Sequence, residues 1–174
     1  MAAALDHLRI EVQGLVCADL GSNVGGFVDC LLQRGAARVH SVDTSYGTLA
    51  WKLRKDPRVV VYERANAMHV SLPEPVDLVT IDVGWTVQEK ILPSAAGMLS
   101  PTGRVLTLIK PHYEAPADFL RDGVLPDEAV AGVVEGVLKW TVAEGWRCGG
   151  TFPSPIRGQA GNQEAFALLH LDRA

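Results

Sequence analysis

The chain has 174 residues, 48% hydrophobic and 21% charged, with a formal net charge of −4. That length suits a single domain spanning 1–174 with a sizeable core, and the acidic balance argues against tight autonomous binding of nucleic acid. No apolar run approaches a membrane span and no basic-then-apolar leader opens the chain, so a soluble cytoplasmic protein is expected, with no membrane partner.

Apolar runs alternate with helical patterns from end to end. In chain order the pattern predicts a strand at 15–20, a helix at 26–33 stopped by Gly35, a strand at 38–42, and a helix at 46–55 ending before Asp56-Pro57. Strands at 59–63 and 76–81 follow, then a helix at 86–98, a strand at 105–109, and a helix at 127–144 opened by two acids and closed by Gly145. Two final strands, 148–152 and 165–171, are joined by the turn-rich residues 153–164. That connection is too short for a helical crossover, so the last two strands should pair antiparallel at one edge. The expected fold is α/β: a mostly parallel seven-stranded sheet with a C-terminal antiparallel strand and helices on both faces, the layout of Rossmann-like methyltransferases. Residues 111–126 form the longest irregular stretch, a cover for the site or a surface connection. Trp51 and Trp140 lie on predicted helices and are expected in the core. Cys17, Cys30 and Cys148 lie far apart without metal-ligand spacing; they read as buried reduced thiols, and no metal site is expected. Residues 34–64 hold seven Lys and Arg against three Asp and Glu, either a solvated face or a flank that meets phosphate.

The chemistry gathers where the strands end. Residues 19–27, Asp-Leu-Gly-Ser-Asn-Val-Gly-Gly-Phe, make an acidic glycine-rich turn between the first strand and the first predicted helix. Gly21, Gly25 and Gly26 let backbone approach a ligand, and amides around Ser22, Asn23 and Phe27 can bind its polar groups. The Asp19 carboxylate would repel pyrophosphate and attract the ammonium of an amino-acid moiety, which favours S-adenosyl-L-methionine over a dinucleotide. The glycine spacing also departs from the Gly-x-Gly-x-x-Gly pattern of nicotinamide sites. Asp43, ending the second strand, is placed for ribose hydroxyls; Asn66, after the third, for an adenine edge. Asp82 ends the fourth strand and Lys110 the fifth, so both should face one pocket. Alternatives exist for each: Asp43 or Asp82 as a helix cap, Asn66 as a turn residue, Tyr113 as an ordinary loop aromatic rather than a base-stacking one.

Residues 19–67 together with DLVTIDVGW, TLIKPHYE and PSPIRGQAGNQEAFALL resemble the hemolysin-type (TlyA-like) ribosomal RNA 2′-O-methyltransferases of the wider FtsJ-like group. The similarity runs in order along nearly the whole chain. It implies an S-adenosylmethionine site at the first turn, with Asp43 and Asn66 on the nucleoside, and ribosomal RNA as the partner. It also implies a catalytic Lys-Asp-Lys-Glu tetrad, of which Asp82, Lys110 and Glu164 are present. The first lysine's place falls at or before Met1, and neither His7 nor Arg9 occupies it. The family's S4-type RNA-binding domain has no counterpart in 1–174, so the chain is expected to be a trimmed catalytic domain or to lack both parts.

The expected reaction is methyl transfer to a ribose 2′-hydroxyl, with Lys110 as the base and Asp82 and Glu164 orienting it and the substrate. A lysine can take a proton only after losing its own, which desolvation and a neighbouring sulfonium favour and carboxylates oppose. A donor-binding module without turnover is the second reading. A nicotinamide oxidoreductase is the third, disfavoured by Asp19 and the glycine spacing. A homodimer is compatible with the sequence, but no residue marks its interface.

Overall fold

The computed structural model describes residues 1–158 and 160–172. Five strands rich in Val, Ile and Leu, β1 (Val16–Leu20), β2 (Arg38–Val42), β3 (Val59–Tyr62), β4 (Val76–Ile81) and β5 (Leu99–Ile109), run parallel in the order β3-β2-β1-β4-β5. The order reverses between β1 and β4, and that reversal opens a crevice beyond the strand ends. Two further strands, β6 (Trp146–Pro153) and β7 (Ala165–Leu171), complete the sheet. β7 is antiparallel to both neighbours and inserts between β5 and β6, so β6 forms the edge.

Strand alternation sends neighbouring side chains to opposite faces. Cys17, Leu78, Leu106, Phe166 and Leu168 face one layer, where they meet Leu5 of α1 (Ala2–His7), Leu31 of α2 (Gly26–Gln33) and Leu53 of α3 (Trp51–Arg54). Ala18, Leu20, Val79, Ile81, Val105 and Leu169 face the other, against Ile91, Leu92 and Ala95 of α4 (Gln88–Met98) and Val134 and Leu138 of α6 (Asp127–Ala143). Full burial of each Leu or Ile contributes about 1.5–3 kcal/mol, so both layers are needed to hold the sheet.

Several elements differ from the sequence reading. α1 was not expected; it is six residues long and has no side-chain cap, but it buries Ala4 and Leu5. The helix expected at 46–55 contracts to α3, because Gly47 is left-handed (φ +72°) and Ala50 is extended. Its single turn buries Leu53 and turns Trp51 outward, 65% exposed, which corrects the expected core position; Trp140 is half-buried. β5 begins six residues early, with Leu99 paired to Val76 across an irregular register. The 111–126 stretch contains α5 (Pro111–Glu114) and a 3₁₀ turn, Ala117–Phe119. Residue 159 of the 153–164 connection lies outside the described residues. Cys17 is buried, whereas Cys30 and Cys148 are only half-buried; all three are free thiols. Among the described residues, no helix is long and apolar enough to cross a membrane.

Candidate active site at the ends of β1, β2, β4 and β5

The turn after β1 is built from left-handed residues: Gly21 (φ +86°), Asn23 (φ +47°) and Gly25 (φ +99°). At Gly21 a Cβ would lie 2.4 Å from the Asp82 carbonyl oxygen, so only glycine lets the β1 and β4 ends close together. Gly21 and Ser22 donate backbone hydrogen bonds to the Val42 carbonyl (2.9 and 3.1 Å), and the Asn23 amide donates to Asp43 Oδ2 (2.7 Å). The result is a cavity of about 620 Å³. Its polar wall carries Gly21, Asn23, Asp43, Asn66, Asp82 and Lys110; Ala67, Met68 and Ile91 are its apolar wall, and Trp85 and Tyr113 its aromatic one.

Five of the ten expected cofactor residues therefore meet: Gly21, Asn23, Asp43, Asn66 and Asp82. Asp43 accepts from the Asn23 and Ser45 amides, at 2.7 Å each. Burial pushes its carboxyl up, but a Ser45 side-chain hydrogen bond together with these amide bonds outweighs it and holds the group below its ordinary range. Asn66 is also the turn residue considered as its alternative role, since its Oδ1 accepts the Met68 amide at 2.9 Å.

The other five lie outside the cavity wall. The Asp19 side chain was expected to point into the pocket. Instead it is fully buried one residue inside the end of β1, between Ser41 and Thr80 of the flanking strands. Its Oδ1 accepts the Thr80 hydroxyl at 2.6 Å, while Oδ2 is buried without a partner. Burial raises the carboxyl to about 7; the Thr80 bond opposes that rise, and the charges of Asp82 and Asp43 add to it. Ser22 is buried and accepts the Ser41 hydroxyl at 2.8 Å. Gly25 packs beneath Leu49 and Leu53, where a Cβ would meet Leu53 at 2.2 Å. Phe27 packs against the first core layer, 6.0 Å from Phe166 between ring centroids. A Cβ on Gly26 would meet nothing within 4 Å.

Of the three tetrad candidates, Asp82 and Lys110 meet in the cavity wall, whereas Glu164 lies outside it, near enough for their charges to act on its carboxyl. Lys110 Nζ lies 2.7 Å from Asp82 Oδ1, with the lysine largely buried. Glu164 precedes β7, and its carboxyl is raised by burial, opposed by the Lys110 charge and reinforced by that of Asp82. Glu164 is thus within electrostatic reach of the other two, delivered by the inserted β7.

Two features escaped the sequence reading. Trp85 is 89% exposed, adopts a left-handed backbone (φ +60°), and lies 5.3 Å from the Tyr113 ring. A bulky residue in that conformation is strained, and such strain gathers at functional sites. The signal available was a tryptophan three residues past Asp82. The second feature is a latch joining the segment that follows Lys110 to the one that precedes Glu164. Asn162 Oδ1 accepts the Leu125 amide (2.9 Å), its Nδ2 donates to the Gly123 carbonyl (3.1 Å), and Arg157 grips Asp127 through two bonds of 2.6 and 2.9 Å.

The model of the FtsJ-like methyltransferase family matches residues 1–171. The chain belongs to that family. YqxC of Bacillus subtilis, named as an rRNA methyltransferase, is 38% identical over 176 residues, covering 96% of this chain and 62% of its own. The 16S/23S rRNA (cytidine-2′-O)-methyltransferase TlyA of Mycobacterium tuberculosis is 38% identical over 186 residues, 100% of this chain and 68% of its own. A solved Streptococcus thermophilus structure described as a hemolysin superimposes with a TM-score of 0.93 at 32% identity, covering 98% of this chain and 64% of that one. This FtsJ-like chain thus spans about two thirds of the length of the relatives it matches.

The site's chemistry suits the cationic methyl donor of such a family, S-adenosylmethionine. Asp19, Asp43 and Asp82 are close enough for the latter two to raise the first. Asp43, held ionised by its hydrogen bonds, supplies negative charge that attracts a sulfonium or an ammonium and repels a pyrophosphate, while Asp82 is paired with Lys110.

Proposed function

We propose that this chain, acting in the cytoplasm, methylates a ribose 2′-hydroxyl of ribosomal RNA with S-adenosylmethionine as donor. The observation that carries the reading is the Lys110–Asp82 pair, 2.7 Å apart in the wall of a cavity whose other walls suit a nucleoside. It is supported by the kinship with TlyA, whose own name specifies cytidine 2′-O-methylation. The free thiols fit a reducing compartment.

Bound in the cavity, S-adenosylmethionine supplies an activated methyl group. Asp43 and Asn66 hold its nucleoside, the Asp43 carboxylate, fixed by the Asn23 and Ser45 amides, accepting from a ribose hydroxyl. Asp82 fixes Lys110 Nζ, and Lys110 receives the proton of the attacking 2′-hydroxyl. A lysine does so after losing its own proton, which desolvation and a nearby donor cation favour. Glu164, raised by burial, accepts or donates a hydrogen bond according to its protonation and orients the acceptor ribose. Trp85 and Tyr113 offer aromatic faces at the mouth, where an unpaired base can stack.

The test is transfer of isotopic methyl from labelled S-adenosylmethionine to unmodified ribosomal subunits, followed by digestion to nucleosides. The expected product is a 2′-O-methylnucleoside, and Lys110→Ala should lower the rate about 10²–10⁴-fold while donor affinity persists. Wild-type turnover by a Lys110→Ala chain that binds donor would refute the assignment.

A further inference from the structure

Seven Lys and Arg side chains lie between residues 34 and 64, and the structure divides them into two groups. Five are neutralised by carboxylates: Arg34 by Asp6 (2.6 Å), Arg38 by Glu74 (2.5 Å), Lys52 by Asp29 (3.0 Å), Arg58 by Asp56 (2.7 Å), and Arg54 by Glu63. The remaining two, Lys55 and Arg64, have no carboxylate oxygen within 4.0 Å among the described residues. Each cation instead lies over an exposed ring. Lys55 Nζ is 4.8 Å from the Trp51 ring centroid and Arg64 Cζ is 4.4 Å from that of Tyr46, with Trp51 65% and Tyr46 69% exposed.

We propose that Tyr46, Trp51, Lys55 and Arg64 form a surface for unpaired RNA, continuous with the Asp43–Asn66 rim of the cavity. The proposal builds on the RNA methyltransferase reading and names where substrate flanking the target is held. Continuity is a matter of backbone: the Arg64 amide donates to the Ser45 carbonyl (3.1 Å) and the Ala65 amide to the Asp43 carbonyl (3.0 Å). Tyr46 and Arg64 are thereby tied to the loop that holds Asp43 and to the strand end that leads to Asn66. The frame is also rigid. Glu63 accepts the Gly47 amide (2.6 Å) while pairing with Arg54, which pins the 46–51 loop against β3. Rings held in place lose little freedom when a base stacks on them.

The combination selects the partner. A cation layered over one face of an exposed ring leaves the rest of the ring surface open with positive charge beside it, which matches a base followed by its phosphate. An acidic peptide would use the two charges but leave both rings in water. Duplex RNA hides its base faces, so the fit is to single strands.

The experiment measures fluorescence anisotropy of a labelled oligoadenylate of about twelve nucleotides with the full chain, Tyr46→Ala/Trp51→Ala, and Lys55→Gln/Arg64→Gln. Calorimetric affinity for S-adenosylmethionine reports that each variant is folded. Losing both rings should weaken binding about tenfold or more, because each stacked base contributes that order of affinity. Losing both cations should flatten the slope of log affinity against log salt by about 0.7 per phosphate contact removed. The ring variant should also raise KM for ribosomal subunits without lowering kcat. The surface is disproved if the wild type does not bind the oligonucleotide at low salt, if the ring variant binds like wild type, or if an acidic polypeptide competes as well as RNA. Wild-type methylation with an unaltered ring variant sinks the surface alone. Ring-dependent RNA binding without methyl transfer sinks the enzyme reading alone.

Discussion

Asparagine at position 19 keeps the shape of the side chain and its acceptor for Thr80 but removes the buried acid. In the folded chain Asp19 holds its proton to about pH 7, because burial dominates, against 3.8 for the free group. Between those values the folded chain binds one more proton than the unfolded one, so this group's contribution is largest below about pH 4 and declines as pH rises to 7. The decline is about 1.4 kcal/mol per pH unit, or about 2.5 kcal/mol in total between about pH 5 and pH 8. Buried His40 and Glu164 and half-buried Glu114 also have shifted titrations, so the informative quantity is the difference between Asp19→Asn and the parent. Urea unfolding of both proteins at the two pH values should show that difference moving about 2.5 kcal/mol in the variant's favour at the higher pH. The new amide nitrogen lacks an acceptor and costs about 1–3 kcal/mol, but equally at both pH values. At pH 8, where the parent carboxyl is ionised, affinity for S-adenosylmethionine should fall in the same protein, because the variant lacks that negative charge; at pH 5 the two proteins should bind alike. A stability difference that does not change with pH would refute the account of Asp19 as a buried, proton-holding acid.

Asn162→Ala strips a fully used side chain from the latch and leaves the Leu125 amide buried without its partner; unfolding free energy should fall by about 1–3 kcal/mol, read by urea titration. Methyl transfer by the same variant should lose kcat with KM for donor unchanged, since Glu164 is displaced and the cavity is not. Gly21→Ala drives a Cβ to 2.4 Å from the Asp82 carbonyl at φ +86°, so donor binding in calorimetry should vanish even where circular dichroism shows a folded chain. Trp85→Gly should leave thermal stability equal or raise it by about 1 kcal/mol through relief of the left-handed strain, while raising KM for ribosomal subunits.

Much of this architecture is legible in the sequence. The five parallel strands follow from dense Val, Ile and Leu runs, and the antiparallel β7 from one connection too short for a helix. The meeting of Asp82 and Lys110 follows from strand ends alone, because parallel strands deliver their last residues to one rim. Glu164 depended on the family resemblance, since its position is set by β7 inserting between β5 and β6. What escaped was fixed by tertiary packing. α1 has too short a pattern to declare itself, yet Leu5 finds a place beside Leu31. Trp51 sits on a single helical turn whose buried face is already occupied by Leu53. Asp19 is secluded because it stops one residue short of its strand's end, a one-residue distinction that no composition or spacing expresses. The Asn162 latch joins residues 37 and 39 positions apart through a single side chain, and nothing local to Asn162 announces it.

The placement of β7 also bears on how the molecule is made. Its residues leave the ribosome after all six other strands, yet its slot is internal, and β6 has no sheet neighbour until it arrives. Such distant pairing, as between Arg104 and His170, slows folding and leaves raw edges waiting. A nascent chain stalled before residue 165 could hold its first five strands but not its final carboxylate in position. Placing Glu164 is therefore coupled to the arrival of β7, and a nick that frees β7 should displace that carboxylate while sparing the five parallel strands.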